Sequence, residues 1–122
     1  MDAQEPLPAD VEAAARGASN LLATDIVVLM VGDVMSITDH FVIASGSNVR
    51  QVRRIVDEVE KEVKAAGGDG PIRVEGVQEG RWVLMDFGPF VVHIFHEETR
   101  QFYDLERLWS DVPKVHWSDA PA

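Results

Sequence analysis

The chain has 122 residues, enough for one domain, and 46% of them are hydrophobic, enough for a real core. It has no cysteine, which excludes a disulfide framework, a thiolate metal site and a cysteine nucleophile. A formal net charge of -10 disfavours broad wrapping of nucleic acid; beyond keeping the chain soluble, it would steer a basic partner protein inward.

Residues 1–8 read as a flexible N-terminus, with Pro6 and Pro8 in a stretch that lacks the basic start and apolar centre of a secretory signal. No apolar run reaches the roughly 20 residues of a membrane span, so a soluble cytoplasmic protein is expected. The alanine-rich stretch 9–25 predicts a helix with Asp10 as its N-cap. Val11, Ala14, Ala15, Ala18, Leu21 and Leu22 would share its apolar face.

Residues 25–31, DIVVLMV, are β-branched and nearly all apolar, as in a strand buried on both faces. Gly32 and Asp33 interrupt it, and 40–45, HFVIAS, predict a second strand. Between about 48 and 66, Val49, Val52, Val56, Val59 and Val63 recur at steps of three and four, with Ile55 beside them: an amphipathic helix. Arg54 with Glu58 and Glu60 with Lys64 stand at i,i+4 on its outer side. Gly67 and Gly68 stop it, and Pro71 prevents its resumption.

Residues 72–76 make a short strand, 81–95 two strands joined at Gly88-Pro89, and 96–109 a terminal helix or helical turn. Residues 113–122 read as a C-terminal tail, leaving 9–112 as the domain. The order α-β-β-α-β-β-β-α predicts an α/β fold: a single mixed sheet of about five strands with helices packed on it.

The turn Ser45-Gly46-Ser47-Asn48, between strand and helix, invites a phosphate-binding reading. It lacks the glycine spacing of either common phosphate loop, and Ser47 or Asn48 has the simpler use of capping the helix. A nucleotidyltransferase would need two carboxylates one residue apart on a following strand; that strand offers Arg73-Val74-Glu75, with one acid. Glu58 and Glu60 have the spacing, but on a helix they point about 200° apart. Arg50, Arg53 and Arg54 lie in the first helical turns, against the dipole. They would suit an anion, an RNA phosphate or a partner carboxylate; a solvated arginine face is the plainer reading.

With Gly88-Pro89 as a two-residue turn, Phe87 opposes Phe90, Met85 opposes Val92 and Val83 opposes Ile94: a uniformly apolar core face. The other face sets Trp82 against Phe95, Leu84 against His93 and Asp86 against Val91. An apolar centre with a charged edge is the composition of a protein-binding surface; a covering helix is the alternative. In a strand, His93 and His96 point to opposite faces, which speaks against a metal pair. The acidic stretch with Tyr103, Asp104, Glu106 and Trp109 either packs on the sheet or docks a partner.

Three stretches, TDHFVIASGSNVRQV, VEG with WVLMDFGPFVVHIF, and ETRQFYDLERLW, resemble the ribosomal silencing factor family (RsfS or Iojap-like), in its bacterial form. The resemblance runs from about residue 21 to 109. It implies a nucleotidyltransferase-like fold without enzymatic activity or cofactor. It also implies binding to the large ribosomal subunit through its basic fourteenth protein, with at most peripheral rRNA contact. Joining of the small subunit would thereby be blocked and translation repressed under nutrient limitation. The resemblance further implies that the free protein can form a homodimer. The alternatives are a large-subunit assembly adaptor and a nucleotidyltransferase-like enzyme. The docking surface falls on Trp82, Leu84, Asp86, His93 and Phe95, with Glu75, Tyr103, Asp104, Glu106 and Trp109 as neighbours. The chain departs from the family pattern at residues 30–33, so Asp33 inherits no role, and at Pro89 in the hairpin turn.

Overall fold

The structure, a computed structural model, describes residues 7–33, 36–104, 107, 110–115 and 117. The alanine-rich segment forms α1 (Ala9–Asn20). Asp10 does not cap it: the cap position falls two residues earlier, at Pro8, and Asp10 Oδ1 accepts from the Val11 N–H at 2.9 Å inside the first turn. The helix also ends earlier than composition suggests. Leu22 adopts φ 63° and is 79% exposed, so it leaves the apolar face expected for it.

Strands β1 (Thr24–Met30) and β2 (His40–Gly46) pair antiparallel. The turn after β2 leads into α2 (Val49–Ala65), whose first free N–H groups are met locally. Asn48 Oδ1 accepts from the Gln51 N–H at 2.8 Å, and Gln51 Oε1 reaches back to the Ser47 N–H at 2.7 Å. Gly67 at φ 92° and Gly68 close the other end, the Gly68 N–H donating to the Val63 carbonyl at 2.9 Å. That is the left-handed glycine stop expected of the sequence. On the surface of α2, Lys64 pairs with Glu60 at 2.9 Å, whereas Glu58 accepts from Asn20 of α1.

β3 (Arg73–Glu75), β4 (Trp82–Asp86) and β5 (Phe90–His96) follow, then α3 (Glu97–Tyr103) and β6 (Lys114–Val115). The sheet order is β3-β4-β5-β2-β1-β6, mixed, with β2 and β5 parallel and every other pair antiparallel. The sheet has six strands where five were expected. The sixth lies in the segment read as a tail: Val115 pairs with Val28, and two residues are too few to show a period.

Helices α1 and α2 cover one sheet face. Val11, Ala14 and Ala18 meet Val52, Val56 and Val59, and both meet Val42, Met85, Phe90, Val92 and Ile94 of the strands. The opposite face carries a second, smaller cluster of Leu29, Val31, Phe41, Ile43 and Phe95.

Candidate partner-binding surface

The hairpin register is the one that strict alternation predicts. Trp82 faces Phe95, Leu84 faces His93 and Asp86 faces Val91, on the side away from α1 and α2. The turn is pinned by the Phe87 N–H donating to the Phe90 carbonyl at 3.0 Å and by Asp86 Oδ1 accepting from the Gly88 N–H at 2.9 Å. Gly88 adopts φ 97°, a conformation that Pro89 leaves to its neighbour.

This face is not uniformly open. α3 folds back over one end: Arg100 is buried and its Nη1 donates to Ser45 Oγ at 2.7 Å, while the Tyr103 ring lies 4.9 Å from that of Trp82. Phe95 is therefore fully buried and His93 is 5% exposed. Both were expected among the contact residues, and they form the floor beneath Trp82, because the strand that bears them is central in the sheet and α3 starts from its end. Trp82, Leu84 and Asp86 are half-buried, and Tyr103, Asp104 and Glu75 are exposed. Glu106 and Trp109 lie outside the described residues.

The floor holds Trp82 in place. Its ring stacks on Phe95 at 5.0 Å, and its Nε1–H donates to His93 Nδ1 at 3.1 Å. Burial pushes the His93 pKa down to about 4, so the imidazole is neutral at physiological pH. An indole N–H can only donate, so Nδ1 offers its lone pair and the imidazole proton sits on Nε2. A half-exposed tryptophan whose orientation is already fixed loses little entropy on binding, which is what an interface anchor requires.

The acids beside it are partly engaged. Arg73 Nε pairs with Glu75 at 2.9 Å, and Arg73 Nη2 lies 4.0 Å from Asp86. Exposed apolar groups flank the surface at two places: Phe102 beside Tyr103 on α3, and Ile37 and Ile72 around a groove of about 310 Å³. Leu84, Val91, Thr38 and His93 also line that groove. Phe102, Ile37, Ile72 and Arg100 were missed in the sequence. Ile72 was read as the first residue of a strand, whereas the strand begins at Arg73 and leaves Ile72 outside it.

The three arginines of α2 do not converge. Arg53 turns to the loop before β4, donating to the Val77 carbonyl at 3.1 Å and to the Gln78 carbonyl. Arg50 and Arg54 border a separate depression with Asn48 and Gln51. His96 starts α3, its Nδ1 accepting from the Glu98 N–H at 3.3 Å, on the other sheet face from His93. Among the described residues no group of His, Asp and Glu is placed to hold a metal ion, and no helix is long and apolar enough to cross a membrane.

Comparison with known proteins agrees with this architecture. Residues 4–122 match the family described as "Ribosomal silencing factor during starvation". The ribosomal silencing factor RsfS of Halalkalibacterium halodurans is 40% identical over 93 residues, covering 76% of this chain and 79% of that protein. A mouse protein named "Mitochondrial assembly of ribosomal large subunit protein 1" is 38% identical over 90 residues, 72% of this chain and 40% of that protein. A crystal structure from Chromobacterium violaceum superimposes with a TM-score of 0.79 at 29% identity, covering 93% of this chain and 92% of the other.

Proposed function

Since the chain belongs to the ribosomal silencing factor family, we propose that it binds the large ribosomal subunit through that subunit's basic fourteenth protein. It thereby covers surface the small subunit needs and represses translation in the cytoplasm when nutrients are scarce. The mechanism is occupancy, with no chemistry and no cofactor. The observation that carries this reading is the preorganised Trp82, held by Phe95 and His93 next to exposed Tyr103 and Phe102, on a chain of net charge -10. The charge draws a basic target in and makes association salt-sensitive; the apolar centre sets residence time. A transferase reading has less to work with. Its strand would be β3, whose single acid, Glu75, is paired to Arg73.

Cosedimentation with isolated large and small subunits tests the proposal. The protein should travel with the large subunit and reduce joined ribosomes when small subunits are added. Absence from the large-subunit peak at low salt would overturn it. Trp82→Ala should weaken this binding by about 2 kcal/mol, roughly thirtyfold, if the tryptophan is the anchor. Circular dichroism checks that the variant stays folded, and Phe102→Ser, at a site 81% exposed, gives a second probe that leaves the core alone.

The name of the mouse relative favours a second reading, in which the partner is a large subunit under assembly. Preference for precursor particles over mature subunits in the same gradients would select it. A homodimer of free protein using this face would compete with either partner.

A further inference from the structure

We propose that the groove beside Trp82 receives an inserted segment of a basic partner protein: one aliphatic side chain, with an adjoining backbone carbonyl that accepts from His93 Nε2. This rests on the docking face proposed above and adds what the partner must present there.

Two buried polar atoms of residues that line the groove carry the inference. His93 Nε2 and Thr38 Oγ1 are both buried and have no hydrogen-bond partner. The Trp82 bond to Nδ1 makes Nε2 the protonated nitrogen, so it can only donate. A buried donor left unmade costs free energy that a bound acceptor would recover. Thr38 offers a hydroxyl that can either donate or accept.

The rest of the groove is apolar apart from Arg73 and Asp86, which also line it. Leu84 and Val91 line it, and Ile37 and Ile72, 81% and 74% exposed, stand around it. Isolated exposed aliphatics are ordinary, but two flanking one groove with an unpaired donor in its wall form a site. Its volume, about 310 Å³, fits a side chain with part of its backbone. On this sheet face the two acids Glu75 and Asp86 outnumber Arg73, which pairs with both, and this excess together with the net charge of -10 selects a basic segment over an acidic one.

Thr38→Val is the informative variant, since it removes the hydroxyl and keeps the shape. Binding of the full-length protein to purified large ribosomal subunits is measured by interferometry, and thermal unfolding is followed in parallel. The expected result is about tenfold weaker binding with unchanged or higher Tm, and recovery in Thr38→Ser. A purely structural threonine would not lower affinity while leaving Tm intact. His93→Phe, which removes the Nε2 donor together with the Nδ1 acceptor of the Trp82 bond, should also lose about tenfold. If both variants bind like the parent while Trp82→Ala is weakened, the groove is empty in the complex: this inference falls and the docking face stands. If the parent itself does not bind large subunits, both fall. If Thr38→Val instead loses self-association by light scattering, the occupant is a second copy of this chain and the proposal is overturned.

Discussion

Gly17→Val is expected to destabilise the protein by about 3 kcal/mol, at the upper end for an added side chain in a packed core. A Cβ at Gly17 would stand 2.9 Å from the Val59 Cα and 3.0 Å from the Glu58 carbonyl oxygen. Both are backbone atoms of α2, so no rotamer change relieves the contact. The two helices would have to separate, and with them the layer in which Ala14 and Ala18 meet Val59 and Val63. The small residues of α1 thus serve close approach as much as helix propensity. Denaturant titration should show a lower midpoint at an unchanged slope. A variant as stable as the parent would mean that the helices slide apart freely, and that the α1–α2 contact contributes little to the core.

Acidification is expected to remove about 3 kcal/mol between pH 7 and pH 4 through His93 alone. Its pKa is about 4 in the folded protein and 6.5 when exposed, so below pH 6.5 the unfolded chain binds a proton that the native state refuses. The sign follows directly. The contribution is fully present above pH 6.5, falls as pH drops, and is gone once the folded protein also takes up the proton below about pH 4. Carboxylates titrate near the lower end of this window, so the test is a difference. Stability is measured against pH for the parent and for His93→Phe, and the parent should lose more between 6.5 and 4. Parallel curves would show that the imidazole is solvated or charged in the native state. Protonation would also bring an ammonium-like charge under Trp82, on the face proposed to dock.

Some of the fold was legible because it rests on local periodicity. The α2 stripe of Val52, Val56, Val59 and Val63 is buried as the spacing required, and Asn48 caps it as its side chain suggested. The β4–β5 pairing was legible for the same reason: a short turn sets register, and register sets every facing pair. Which side of Trp82 would be free was harder to read. Alternation assigned Phe95 and His93 to the outer face correctly, yet says nothing of what lies above that face. Arg100 illustrates the gap. In the sequence it is one more charged residue after a strand; in the fold it is buried against Ser45, 55 positions away.

The residues by themselves determined the family, the helix faces and the hairpin, since these depend on side-chain order within a few turns or one register. Only the tertiary structure decided that β2 lies parallel to β5 at the sheet centre, that β6 adds an edge strand beyond β1, and that α3 returns over Trp82 and Phe95. These are pairings between segments distant in the chain. Their free energy comes from shared burial, and no local pattern encodes which distant surface will supply it. The same holds for the groove: Thr38, Ile72 and His93 have no relation in sequence, and the fold alone brings them around one space.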